Sequence, residues 1–183
     1  MSLAANCIPD DADPRYPIGQ FEKPANITED DRIGAISTLA DLPEQLRNAV
    51  AGLGAAQLAT SYREGGWTVR QLVHHIADSH MNAFIRLRLG LTEDWPTVKP
   101  YDEGAWATLH DSIAPIEWSL ELIESLHARW VMLLQSLTEE QWIRGFKHPV
   151  HGPQTLADQT LYYGWHARHH LAHITHLRAR EEW

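Results

Sequence analysis

A helix whose buried side is built from imidazoles leaves a chain few ways to fold, and the C-terminal stretch of this sequence reads as such a helix. From Thr155, with Asp158 three residues later, a helical pattern runs to about Arg180. His166, His169, His170, His173 and His176 fall within eleven residues of it. At 100° per residue, Tyr162, His166, His169, His170, His173, Ile174 and Leu177 share about 140° of arc. Buried ring nitrogens need hydrogen-bond partners or a metal, so whatever packs on this face must supply one or the other.

The rest of the chain supplies helices to do so. Residues 1–27 carry Pro9, Pro14, Pro17 and Pro24 with little apolar periodicity and read as an extended arm, in which Tyr16 to Phe21 could still pack on the body. From Thr28, a candidate N-cap with Glu29, Asp30 and Asp31 behind it, a helix is expected to about Gly52, with Pro43 kinking or restarting it. After Gly65-Gly66, Thr68 and Gln71 have capping-box spacing and open a helix to about Leu91. Its buried stripe is Val69, Leu72, Val73, Ile76, His80, Ala83, Phe84 and Leu87, flanked on opposite sides by His74 and His75.

Residues 92–114 contain Pro96, Pro100 and Gly104 and read as a long connection that covers part of a site. Pro115 suits the first turn of a third helix through Trp118, Leu122, Leu126, Trp130, Leu133 and Leu137, followed by a short turn at Thr138–Trp142. His148 to Pro153 breaks the chain before the last helix. The expectation is an all-α protein, an antiparallel four-helix bundle over residues 28–183 with the arm at 1–27.

Composition excludes several functions. The 183 residues suit one domain, and 44% hydrophobic with 21% charged residues is ordinary for a soluble protein. A net charge of -9 without a Lys/Arg run argues against nucleic acid. The lone Cys7 cannot pair within the chain, and neither a signal peptide nor a stretch of about 18 apolar residues is present, so a cytoplasmic protein away from membranes is expected. Cys7 has no adjacent histidine to activate it, and neither a Gly-x-Ser-x-Gly nor a phosphate-loop motif occurs.

A lone histidine is usually an ordinary hydrogen-bonded interior or boundary residue, but clustering shifts the balance towards a metal site. Two pairs have i,i+4 spacing, His166 with His170 and His169 with His173, and spacing does not choose between them. One of His74 and His75 should face the last helix across the bundle and supply a third nitrogen. Three imidazoles from two helices would leave coordination positions open, as in a catalytic rather than a structural site. The zinc-protease pattern His-Glu-x-x-His is excluded by Ala167, so no built-in glutamate base is present. Asp78, one turn from His75, is a possible partner for a ligand imidazole, against the plainer reading of a helix-surface carboxylate. Tyr101-Asp102-Glu103 reads as solvated loop charge, and the eight tryptophans read mainly as core.

Particular strings resemble the YfiT-like branch of the DinB superfamily. They are Gly65-Gly66-Trp67-Thr68-Val69-Arg70-Gln71 running into His74-His75-Ile76-Ala77-Asp78-Ser79-His80-Met81-Asn82, and Trp165-His166 through His169-His170-Leu171-Ala172-His173-Ile174. Shorter likenesses lie at Tyr16-Pro17-Ile18-Gly19, Lys99-Pro100-Tyr101-Asp102-Glu103 and Leu126-His127-Ala128-Arg129-Trp130. The resemblance implies a four-helix bundle, commonly a homodimer, holding one divalent metal per subunit, zinc or nickel. It also implies the ligands: His75, before the Ile-Ala pair, with His166 and His170. Members are described as metal-dependent hydrolases, which implies a small-molecule substrate and a water activated at the open positions. Wider relatives are S-transferases using a low-molecular-weight thiol such as bacillithiol or mycothiol, the first alternative. A metal-binding or stress-response module without catalysis is the second.

Overall fold

The computed structural model describes residues 13–183, so the expectations for Cys7 and for the start of the arm lie outside the described residues. In chain order the elements are α1 (Glu29–Val50), the single turn α2 (Ala55–Leu58), α3 (Val69–Thr92), the short α4 (Glu103–Trp106), a 3₁₀ turn (His110–Ile113), α5 (Ile116–Gln135), α6 (Glu139–Trp142), strands β1 (Gly145–His148) and β2 (Gly152–Thr155), and α7 (Leu156–Arg180). Three of the long helices start where side chains satisfy their free amides. The Thr28 and Asp31 side chains exchange bonds with each other's backbone N–H, at 3.2 and 2.9 Å, and the pairs Thr68/Gln71 and Thr155/Asp158 do the same.

Pro43 lies inside α1, which runs through it as one helix rather than restarting. A proline has no N–H to offer the carbonyl four residues back, so the Leu39 oxygen loses its helical partner. His127 on α5 takes that place, with Nδ1 2.6 Å from the Leu39 oxygen.

The bundle differs from the expected antiparallel one. Ala35 lies against Gly164, Arg168 reaches Thr38 and Arg178 reaches Ala49, so residue numbers rise together and α1 and α7 run parallel. His74 meets Ser119 and His80 meets His127, so α3 and α5 are parallel too. The antiparallel neighbours are α3 with α7 (His80 to His166, the Ala83 oxygen to Gln159) and α1 with α5 (Leu39 to His127, Arg47 to Glu124). This order explains the long connection. Two parallel neighbours oblige the chain to return along the whole of α3, roughly 36 Å for its 24 residues. Residues 93–115 make that return: the Lys99 oxygen meets Arg86, the Ala107 oxygen meets Gln71 and the Ala114 oxygen meets Arg70.

A second correction concerns the all-α expectation. β1 and β2 pair as an antiparallel hairpin, Gly145 opposite Thr155 and His148 opposite Gly152, where a chain break was expected. The strands have four residues each, too few for a period-2 pattern to stand out, and Pro153 weakens the signal further. A Cβ at Gly145 would overlap the Gln154 carbonyl, so glycine lets the strands close. The hairpin pins the start of the crossover, since Lys147 accepts from the Val98 N–H and donates to the Pro96 oxygen.

The α3 stripe is buried as expected, His80 included. On α5 the expected stripe is partly misplaced. Trp118 is 67% exposed and Leu122 42%, and the face towards the core is instead Ile116, Leu120, Ile123, Leu126, His127, Trp130 and Leu134. The apolar arc of this helix is broad, and the expected stripe followed one edge of it, whereas the core faces its middle, opposite Glu117, Glu121 and Glu124. The described part of the arm packs on α7: Phe21 meets Tyr162 edge-on at 5.4 Å, the Trp165 Nε1–H donates to the Gly19 oxygen, and Lys23 pairs with the buried Asp158. Among the described residues, no helix is long and apolar enough to cross a membrane.

Candidate metal centre

His75 projects from α3 and His166 and His170 from α7, and the three offer nitrogens that all lie within 4.8 Å of one another. All three rings are buried. Their spacing follows from the helices: residues 166 and 170 lie one turn apart on one face, and the antiparallel crossing of α3 sets His75 opposite them. His74, the other candidate from this pair, turns away. Its Nδ1 lies 2.8 Å from the Ser119 hydroxyl on α5 and its Nε2 3.2 Å from the Ala114 oxygen at the end of the crossover, so both nitrogens are already used.

Burial holds the three imidazoles neutral. His75 is pushed down to about 4, first by burial and then by His169 nearby, and His166 and His170 fall well below the ordinary histidine range, first from burial and then from neighbouring rings, His75 beside His166 and His166 beside His170. Neutral rings carry the lone pairs that a metal requires. His166 Nε2 and His170 Nε2 sit 3.1 Å apart. Metal–nitrogen bonds of about 2.0–2.1 Å at tetrahedral or octahedral angles would separate two ligand nitrogens by about 2.8–3.4 Å. The donor set therefore fits a divalent ion.

His169, His170 and His173 form a second group, also within 4.8 Å of one another. It draws on α7 alone. Trp165 stacks on His169 at 4.5 Å and Tyr62 on His173 at 4.0 Å. His169 Nδ1, His170 Nδ1 and both nitrogens of His173 are buried without a hydrogen-bond partner among the described residues. The Arg15 backbone comes near His173 without closing a bond, and burial pushes His173 down to about 3.

A cavity of about 60 Å³ reaches His75 from the side, lined by Gln71, His74, Asp78, Tyr101, Glu103, Trp106, Ala107, Asp111, Ser112 and Ser119. The crossover thus forms one wall of it, as the length of that connection suggested. Asp78 is half-buried there, and burial with Asp111 nearby raises its carboxyl to about 6. Its side chain makes no hydrogen bond to an imidazole among the described residues, so it borders the cavity rather than steering a ring. Glu103 contributes to the wall beside Tyr101, whose phenol burial pushes well above its usual range. Asp102 instead caps α4, its Oδ1 accepting from the Ala105 N–H.

Sequence reasoning missed two residues beside the site. His80 Nε2 lies 3.1 Å from His166 Nδ1, and His80 Nδ1 lies 2.8 Å from His127 Nε2. His80 was legible only as part of a buried stripe, and His127 only within the string Leu126 to Trp130.

Comparison with known proteins shows the family and the bundle topology. The DinB superfamily model matches residues 38–174. A protein of Oceanobacillus iheyensis named "putative metal-dependent hydrolase" is 52% identical over 169 residues, 92% of this chain and 98% of that one. One of Bacillus cereus with the same name is 53% identical over 171 residues, 93% and 99% of the two chains. The solved structure of YfiT from Bacillus subtilis, described as "a probable metal-dependent hydrolase with an unusual four-helix bundle topology", superposes with a TM-score of 0.90 at 46% identity, covering 93% of this chain and 98% of that one. With its three converging imidazoles and its parallel-neighbour bundle, this chain belongs to the YfiT-like branch of the DinB superfamily.

Proposed function

We propose that the protein is a metal-dependent hydrolase in which His75, His166 and His170 hold one divalent ion, zinc or nickel. The observation that carries this reading is the convergence of three buried, neutral imidazoles from two helices beside a cavity. The names of the relatives support it. A bound ion would supply Lewis acidity there, lowering the pKa of a nucleophile and polarising a substrate oxygen. The protein's own residues do the rest. The crossover and α3 shape the cavity for a small molecule, and Asp78 is placed to accept a proton from a nucleophile entering it. Asp78→Asn is expected to keep the metal and lower turnover about 10²-fold, the usual reach of a positioned base.

The test is His166→Ala and His170→Ala in untagged full-length protein, with metal content by elemental analysis and hydrolysis of an ester and amide panel. Both variants should lose metal and activity together; full activity in metal-free wild type sinks the reading. Turnover that appears only with an added small thiol replaces hydrolysis by thiol transfer. Stoichiometric metal with no turnover in either screen leaves a binding module. The homodimer expected from the resemblance belongs to the same proposal, and sedimentation of the full chain reads it directly.

A further inference from the structure

The buried contacts behind His166 form one continuous chain whose polarity can be worked out from its far end. The Leu39 carbonyl can only accept, so His127, 2.6 Å away, must carry its proton on Nδ1. Burial pushes His127 down to about 4, leaving it neutral near pH 7 with a lone pair on Nε2. His80 Nδ1, 2.8 Å from that lone pair, must then be the donor. His80 is fully buried, and with its proton committed to the Nδ1 link its Nε2 is the acceptor, so the group facing it at 3.1 Å is His166 Nδ1–H. That leaves His166 with its lone pair on Nε2, the nitrogen that points towards His170. Each link has one orientation only. The anchor exists because Pro43 removes the N–H that would otherwise occupy the Leu39 oxygen.

We propose that His80 and His127 are positioning residues: a hydrogen-bond chain anchored on the Leu39 carbonyl fixes His166 as its Nδ1–H tautomer and presents Nε2 to the metal centre. A free imidazole in water prefers its proton on Nε2, the form that cannot ligate through that atom. Without the chain, binding must first move that proton and turn the ring, which weakens the site. Outer contacts of this kind commonly change metal affinity by about 10–100-fold. His170 has no such support among the described residues, where its Nδ1 finds no partner, so His166 is the ligand set in advance.

The proposal rests on the metal reading above only for what the tautomer serves; the tautomer itself is measurable without metal. Long-range ¹H–¹⁵N spectra of the metal-free full chain should show His80, His127 and His166 neutral and protonated on Nδ1. A wild-type spectrum with His166 protonated on Nε2 overturns the chain whatever the metal does. In His127→Leu, the His166 signals should shift towards the Nε2–H form, and zinc affinity, by chelator competition, should fall about 10–100-fold. A folded variant with wild-type affinity and an unchanged His166 tautomer overturns the positioning role. Should His127→Leu fail to fold, the wild-type spectrum still decides the chain. Wild-type protein that binds no zinc defeats the metal reading and leaves the tautomer result standing.

Discussion

One helix, α7, carries two histidine pairs with identical spacing, and the structure treats them in opposite ways. The pair His166/His170 meets His75 from α3, and His166 is backed by His80 and His127, so its ring has a partner on each nitrogen. The pair His169/His173 meets aromatic faces, Trp165 and Tyr62, and leaves three of its ring nitrogens without partners among the described residues. The i,i+4 rule places both pairs on a face but says nothing about what stands opposite. The neighbouring helix decides which pair gains a nitrogen from outside α7, and in this bundle that neighbour is the antiparallel α3.

The largest expected effect breaks or keeps this distinction directly. His166→Ala should abolish stoichiometric metal, a loss of affinity well beyond 10²-fold, whereas His173→Ala should retain one ion per chain. Elemental analysis and chelator competition on both variants check it. Should His173→Ala strip the ion while His75→Ala keeps it, the two groups exchange roles and the site lies on α7 alone.

Next in size is the stability of the metal-free protein. His80→Leu would leave the His127 Nε2 lone pair and the His166 Nδ1–H buried and unpartnered, each costing about 1–3 kcal/mol, so a loss of about 2–5 kcal/mol is expected in urea unfolding. His173→Leu removes two nitrogens that lack partners among the described residues, and should change stability by at most about 1 kcal/mol, towards greater stability. Equal losses in the two variants would show that packing volume, not hydrogen bonding, separates the groups.

Much of this arrangement was legible in the sequence. Thr28, Thr68 and Thr155 mark helix starts because capping is a local interaction between residues three apart. The register of His75, His166 and His170 came from likeness to a family, since the spacing alone allowed either pair. Helix direction was not legible. Capping and periodicity are the same in a parallel and an antiparallel neighbour, and the hint lay in the length of residues 93–115, which a short up-down turn would not need. The exposed Trp118 and Leu122 went wrong because they lie at the edge of a broad apolar arc on α5 whose middle, at Ile116, Ile123, Trp130 and Leu134, is what the core covers. The chain through His80 and His127 joins residues 47 apart to a carbonyl 88 residues from His127, and no local pattern encodes such a contact.

The smallest effect separates the groups by their protons. A histidine whose folded pKa lies below its free value binds fewer protons folded than unfolded, so stability rises with pH between those two values and is flat outside them. For His173, held near 3 by burial against 6.5 for a free imidazole side chain, the window spans that interval. The unfolded ring takes up a proton as pH falls through the upper edge while the folded ring stays neutral, so acid weakens the metal-free fold. Within the window one such group contributes a slope of about 1.4 kcal/mol per pH unit. His173→Leu should therefore flatten the decline of urea-unfolding stability between pH 6 and pH 4 by about that amount, with little change above pH 7. A variant whose stability falls as steeply as wild type would mean that His173 finds a proton acceptor in the fold. The nearby Arg15 backbone would be the first candidate, and His173 would then join the hydrogen-bonded histidines from which its unpartnered nitrogens set it apart.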